Sequence, residues 1–230
     1  EYFRSGMGVG GLRYTKLNGT KGIFRAAMAY SLEGTNVNHF NVFRHIDSID
    51  STFVLDSITR NMGYRNNLHK ILTHFSYRHK LSARQNIQLG ILADGYYQDL
   101  HDSIVVVAGQ PTFNYRMDYD GMQMLLQPYA QWRYSASEKL TFNVGLHGQV
   151  FTLNSNSLSL EPRAGLRWAM TSKQTLSLGT GLHSQMQPYY VYFQQQPDGF
   201  GGYRRHNTDL GVSRSVHFVA GHDWYIGSSL

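Results

Sequence analysis

The sequence predicts an all-β fold: an antiparallel transmembrane β-barrel segment of about nine strands, with short periplasmic turns and long extracellular loops. Three observations predict it. Apolar and polar residues alternate with period two over most of the chain, whereas helical periodicity is hard to find. The alternating stretches run to about a dozen residues, against about five or six for strands of soluble proteins and about nine to eleven for tilted membrane strands. Short and long connections also alternate with strand number, as they do when all turns of one kind share one side of a membrane.

The elements follow in order. A weak first strand covers Val9 to Leu17. The next places Phe24, Ala26, Met28, Tyr30 and Leu32 on one face, with Arg25 and Ser31 on the other. Ile71, Thr73, Phe75 and Tyr77 then oppose Lys70, His74, Ser76 and Arg78, and Ile87, Leu89, Ile91 and Ala93 oppose Asn86, Gln88 and Asp94. The clearest strands lie between Gly121 and His183. Met122, Met124, Leu126, Pro128, Ala130, Trp132 and Tyr134 face away from Gln123, Gln127, Tyr129, Gln131 and Arg133. Leu140 to Val150 repeats the pattern on even positions, against Thr141, Asn143, Gly145, His147 and Gln149. Leu158, Leu160, Pro162, Ala164, Leu166 and Trp168 oppose Ser159, Glu161, Arg163, Gly165 and Arg167, and Leu176, Leu178, Thr180 and Leu182 oppose Thr175, Ser177, Gly179, Gly181 and His183. Val216, Phe218, Ala220 and Trp224 form the apolar face of the last strand.

Tight turns are expected at Asn18 to Lys21, Ser82 to Arg84, Ala136 to Lys139 and Thr171 to Gln174. The intervening connections are roughly Thr35 to Met62, Asp99 to Asp120 and Pro188 to Asn207; Asn154 to Asn156 is short. Two prolines, Pro128 and Pro162, fall in mid-strand, where a missing ladder donor marks a bulge or a local gap in pairing. Trp132, Tyr134, Trp168 and Trp224 stand near strand ends, where an interfacial aromatic belt would lie.

Composition agrees and excludes other classes. Lys and Arg number 21 against 15 Asp and Glu among 230 residues, and the resulting +6 is spread along the chain. That speaks against nucleic acid as a partner, since a nucleic-acid groove needs clustered cations. The absence of cysteine excludes disulfides, thiolate metal sites and cysteine nucleophiles. Charged residues are 16%, under the roughly 25% of soluble domains, while the chain carries 16 Tyr and 23 Gly. No run approaches the roughly 18 apolar residues of a spanning helix; the best is Ile104 to Ala108. Glu1-Tyr2-Phe3-Arg4 has no secretory-signal character and reads as the middle of a longer chain.

The stretch Ser157 to Trp168, the turn Thr171 to Gln174, the strand Leu176 to Gln187, and the pair Asn207 to Gly211 and Ser215 to Gly221 resemble barrel strands of TonB-dependent outer-membrane receptors, particularly those of Bacteroidetes-like bacteria. The resemblance is clearest over Leu140 to Trp224. It implies an internal fragment, with residues 1–230 part of a barrel of about 22 strands whose lumen is plugged, the plug domain and terminal strands being absent here. It also implies residence in the bacterial outer membrane with lipid around the barrel, TonB engaged through the missing plug and a small nutrient ligand; whether a lipoprotein lid covers the mouth is left open by the sequence.

Catalytic, cofactor and metal chemistry is not expected. His69, His74 and His79 are five apart, so successive members point to opposite faces. His147 and His183 face the lumen, where hydrogen bonding is their expected role. Neither His101-Asp102 nor His222-Asp223 comes with an organised nucleophile. Glu161, Arg163 and Arg167 share the polar face, either paired with one another or lining a substrate path. Ligand capture is expected from loop aromatics, Tyr115 and Tyr119 in one connection and Tyr189, Tyr190 and Tyr192 in another; the alternative is that these aromatics pack the loops over the barrel mouth. The functional expectation is a receptor that binds a scarce nutrient at its extracellular loops and imports it with TonB-transmitted energy. The alternatives are a complete small outer-membrane barrel, adhesin-like or enzymatic, and a secreted β-sandwich that binds carbohydrate.

Overall fold

The computed structural model describes residues 1–105 and 113–227. The chain forms one nine-stranded antiparallel sheet in which each strand pairs with the one before it. The strands are β1 (Tyr2–Asn18), β2 (Gly22–Ile46), β3 (Phe53–Lys80), β4 (Gln85–Val105), β5 (Phe113–Ser135), β6 (Leu140–Phe151), β7 (Ser159–Ala169), β8 (Gln174–Gln185) and, after the longest connection, β11 (Ser213–Trp224). That connection carries a single helical turn, α1 (Tyr189–Tyr192), and a small hairpin of β9 (Gln195–Pro197) and β10 (Tyr203–Arg205). Among the described residues β1 pairs only with β2 and β11 only with β8.

The registers put every expected apolar face on the same side. Leu12 lies opposite Met28, Met28 opposite Thr73, Thr73 opposite Ala93 and Ala93 opposite Leu126. Ala130 continues the row to Leu146, Val144 to Ala164, Leu166 to Leu178 and Leu178 to Ala220. This side is exposed, Met122, Val144, Leu160, Leu178 and Phe218 among its residues, whereas Ser76, Asp94, Gln98, Gln149, Ser159 and Glu161 on the other side are buried. The distribution is the reverse of a soluble sheet, which hides its apolar face. The apolar band on β4 runs from Ile87 to Tyr97, about eleven residues, enough to cross a hydrocarbon layer when tilted. Beyond Tyr97 the same face becomes polar: Asp99 bonds to Arg65 at 3.0 Å, and His101 faces Asp118 at 2.8 Å.

All four expected tight turns occur at one end. At the other end, two of the expected long connections are mostly strand. β2 and β3 continue for 25 and 28 residues, so the predicted connection Thr35 to Met62 narrows to residues 47–52. Asp99 to Val105 and Phe113 to Asp120 likewise extend β4 and β5; the centre of that connection lies outside the described residues. The β2–β3 ribbon passes the end of both flanking ladders, at Asn38 for β1 and Met62 for β4. It bends there through register shifts at His39/Phe40 and Phe43/Arg44. Its projecting part exposes Val42, Ile46, Phe53, Leu55 and Ile58.

Each mid-strand proline sits at a seam. The β5–β6 ladder skips Gln127 and Pro128 yet resumes in the same register, so the proline makes a gap and not a bulge. Pro162 is paired with Leu146 on β6, but the β7–β8 ladder stops one residue away at Arg163 and Gly181.

The face assignment makes a direct prediction. In the full-length protein refolded into lipid vesicles, Ala130→Arg on the exposed apolar face should cost about 2–4 kcal/mol of denaturant stability. Gln127→Arg on the same strand but the opposite face should cost far less, and equal costs would show the faces to be misassigned.

Candidate functional site

The inner, polar face is where side chains converge. At the seam beside Pro162, Glu161 is almost fully enclosed at 1% exposure. Its Oε2 accepts from Arg163 Nη2 at 2.6 Å and faces His147 Nδ1 at 3.1 Å. Its Oε1 accepts from Ser159 Oγ at 3.2 Å and from Ser184 Oγ, which also donates to Ser159 Oγ at 2.6 Å. Side chains thus tie β7 to β8 where the backbone ladder has ended. The expected pairing of Glu161 with Arg163 is present; Arg167 has no hydrogen-bond or ion-pair partner among the described residues.

A second polar group spans β3 to β5. Tyr129 Oη lies 2.9 Å from His74 Nε2 and accepts from Gln88 Nε2 at 3.1 Å. The Tyr129 ring lies over Gly90, where an added Cβ would stand 2.5 Å from it. The histidines expected to diverge do so: His69 meets Tyr30 Oη at 2.6 Å on the outer face, and His74 meets Tyr129 on the inner. His183 contacts His217 at 4.6 Å between rings, while His147 goes to Glu161. His101 and Asp102 take separate partners, Asp118 at 2.8 Å and Arg116 at 2.7 Å, so they form no dyad. Among the described residues no group of three or more His, Asp and Glu could hold a metal ion.

The connection between β8 and β11 folds back over the inner face. β6 and β7 are short, 12 and 11 residues, and their link at 152–158 is low. The connection crosses above them to reach β5. Met117 bridges to Gln194, Gln195 Nε2 donates to the Tyr115 carbonyl at 3.1 Å, and Arg205 donates to the Asp118 carbonyl. Asn154 Nδ2 donates to the carbonyls of Thr208 at 2.6 Å and Leu210 at 3.1 Å, fixing the return leg. Beneath it lies the buried apolar cluster of Leu100, Met117, Leu125, Phe151, Tyr192 and Phe193.

Sequence reasoning named five tyrosines here, and the structure separates them. Tyr192 is fully enclosed, and its Oη accepts from the Gln187 N–H at 3.2 Å. Tyr119 stacks on Phe193 at 3.5 Å, and Tyr189 packs against Tyr96 at 5.7 Å and Phe193 at 5.2 Å. Burial pushes the Tyr189 phenol well above its ordinary value. Tyr190 and Tyr115 are exposed, Tyr115 with its ring edge-on to Tyr203. Phe193, directly after the tyrosine-rich stretch Tyr189 to Tyr192, is a central anchor of this packing, and that adjacency is the signal the sequence offers for it. At the loop tip Gly199 and Gly201 adopt φ of 81° and 91°, and Asp198 accepts from the N–H groups of Phe200 and Gly202, which hold its carboxyl below the usual range.

No protein-family profile matches the sequence, and no curated protein matches it. Among solved structures the chain is similar to a double mutant of the ferric enterobactin receptor of Pseudomonas aeruginosa, with a TM-score of 0.69 and 15% identity over 97% of this chain and 33% of that one. It is also similar to the siderophore receptor PirA of Acinetobacter baumannii, with a TM-score of 0.66 and 12% identity over 98% of this chain and 33% of that one. The P. aeruginosa receptor bound to enterobactin gives 0.54 at 14% identity, over 90% of this chain and 33% of that one. This chain therefore spans about a third of the length of these receptors. At such identities the likeness establishes the fold alone, a portion of a β-barrel wall.

Two substitutions test the site's architecture. Glu161→Ala would remove the hydrogen bonds that join β7 to β8 at the seam, while half-exposed Arg163 stays solvated, at a cost of about 1–3 kcal/mol in vesicle-refolded full-length protein. Phe193→Ala should remove about 3–5 kcal/mol of aromatic packing and release the loop, read as faster proteolysis between residues 199 and 202 with β-sheet circular dichroism unchanged.

Proposed function

We propose that the chain is the barrel portion of a TonB-dependent outer-membrane receptor that binds a small nutrient at its extracellular mouth and imports it. The observation that carries the reading is the inverted sheet: nine antiparallel strands, apolar outside and polar inside, with all tight turns at one end. The turn end is periplasmic and the loop end extracellular, following the asymmetry of outer-membrane barrels. Its likeness to siderophore receptors supports an iron chelate as the nutrient class. The aromatic-rich loop at the mouth supports capture, with exposed Tyr190 and Tyr115 contacting ligand while Tyr119, Tyr189 and Tyr192 hold the loop in place. TonB would act through a plug in the lumen. The apolar residues exposed on the projecting β2–β3 ribbon support a lipoprotein lid or similar cover at that height.

The test is uptake by the full-length receptor expressed in cells lacking their own siderophore receptors. Radioactive iron would be supplied as enterobactin, hydroxamate and citrate chelates in turn. At least one chelate should accumulate, and a protonophore should abolish accumulation while leaving surface binding. Tyr190→Ala should weaken that binding about five- to tenfold. Accumulation that persists with the protonophore would overturn the TonB mechanism, and no binding of any chelate would overturn the ligand class.

A further inference from the structure

The four tight turns share one detail: each ends on a base. Lys21, Arg84, Lys139 and Lys173 directly precede β2, β4, β6 and β8. Three of the turns are built alike. The hydroxyls of Ser82, Ser137 and Thr171 accept from the N–H groups of Arg84, Lys139 and Lys173, at 3.1, 3.2 and 3.2 Å. The N–H groups of the same three hydroxyl residues donate to the carbonyls of Gln85, Leu140 and Gln174, at 3.3 Å each. The carbonyl of each base is taken by the next strand. Lys80 N–H donates to Lys21 at 2.8 Å, Ser135 to Arg84 at 2.8 Å, Ala169 to Lys139 at 2.8 Å and Tyr225 to Lys173 at 2.9 Å. In the three like turns both backbone groups of the base are therefore committed, which sets the bases at one height along the wall.

An aromatic accompanies each of these three bases. The residue after the base, Gln85, Leu140 or Gln174, lies opposite Tyr134, Trp168 or Trp224. These rings belong to the outer face at the end of its apolar band; Trp168 and Trp224 are exposed, and Tyr134 stacks on Trp132 at 5.5 Å. The backbone does not call for a base here, since none of the four has a positive φ. All four are exposed, and Glu138 is the one carboxylate within these turns. Ion pairs among the described residues lie higher on the strands, as in Lys70 with Glu33 and Arg163 with Glu161. Consecutive bases stand two strands apart, about 10 Å. A row of single cations at constant height matches a plane of phosphates better than one pocketed ligand. Interfacial Trp and Tyr rings sit at headgroup level, and long basic side chains beside them reach on to the phosphates. The rest of a barrel adds strands beyond β1 and β11, so it does not come between this row and the bilayer.

We infer that the turn end is a docking surface for anionic phospholipid, each base-and-aromatic unit engaging the phosphate of a headgroup in the leaflet at that end. The inference rests on the proposed receptor reading, which supplies the bilayer and makes that leaflet the periplasmic one. Selectivity follows from charge. A phosphatidylglycerol headgroup keeps its net negative charge, whereas the choline of phosphatidylcholine cancels it and sets a like charge beside the lysines. An acidic peptide is the rival occupant, but it would need neither the aromatics nor the constant height.

The experiment places the full-length protein in phosphatidylcholine vesicles with rising fractions of brominated phosphatidylglycerol, whose bromines quench nearby tryptophan; brominated phosphatidylcholine is the control. Quenching should show phosphatidylglycerol preferred at low ionic strength, and about 1 M salt should remove most of the preference. Lys21→Gln, Arg84→Gln, Lys139→Gln and Lys173→Gln combined should lower the relative binding constant at least about tenfold, a single cation near a lipid surface carrying about fivefold. Lys21→Arg, Lys139→Arg and Lys173→Arg combined should retain the preference, and so should Arg4→Gln with Arg204→Gln at the loop end. No preference in the unmodified protein, a preference indifferent to salt, or one that survives the quadruple variant would each overturn the inference. So would an absent lipid preference with salt-sensitive binding of polyglutamate that the quadruple variant abolishes, which would assign the row to an acidic peptide. Heat-modifiable gel migration reports the barrel and chelate uptake reports the receptor, so a failed docking surface and a failed receptor reading give different results.

Discussion

Everything in this structure depends on keeping one alternation in phase across eight backbone ladders. A slip of one residue at any strand pair would turn that strand's apolar residues inward and its polar residues outward. The phase holds from Leu12 on β1 to Ala220 on β11, although the strands differ in length by more than twofold. Register shifts do occur, but only at the loop end, between His39 and Phe40, Phe43 and Arg44, and Asp102 and Ser103. There the strands have passed the continuous apolar band, so a change of face no longer turns that band's residues inward. Strictness and tolerance are thus distributed along the strands by what each height must face.

The prolines are the one place where the apolar band gives up ladder hydrogen bonds, and the fold repairs the loss with side chains. Pro162 cannot donate, and the β7–β8 ladder ends beside it. Directly above, the space between the strands takes Glu161, Ser159 and Ser184, whose hydroxyl and carboxylate oxygens connect the two strands. A buried carboxylate is costly unless its oxygens are satisfied, and Arg163, His147 and the two serines together meet that demand. Pro128 opens a smaller seam across from Gly148, where a side chain would press on the ring at 3.4 Å. The opened top of β6 and β7 also lowers the wall over which the β8–β11 connection crosses to reach β5.

Strand number, turn positions and both faces were legible in the sequence because they depend on local alternation and turn chemistry. The upper halves of β2 to β5 were not. Above Leu32 and Tyr97 both faces carry polar residues, as in Asn36, Asn38, Asp99 and His101, so alternation disappears while the backbone remains paired. The candidate site was legible by composition but not by role. A run such as Tyr189 to Phe193 announces aromatic contact without saying whether the partner is a ligand or Leu100 and Phe151 on a wall far away in sequence. Glu161 with Arg163 was readable because both lie on one strand, two residues apart.

The position of the buried apolar cluster separates a barrel wall from a β-sandwich. In a sandwich the apolar faces of two sheets meet and supply the core. Here the described residues form one large sheet, and its apolar face has no second layer against it. The cluster that is buried lies instead on the polar side, under the capping loop, and draws on Leu100, Leu125 and Phe151, which interrupt otherwise polar faces. Those three residues sit at the heights where the loop descends. Below them the same faces carry Asp94, Gln127 and His147. The inner wall is therefore most apolar where its own chain covers it, and below that it mixes polar groups with Leu72 and Leu92.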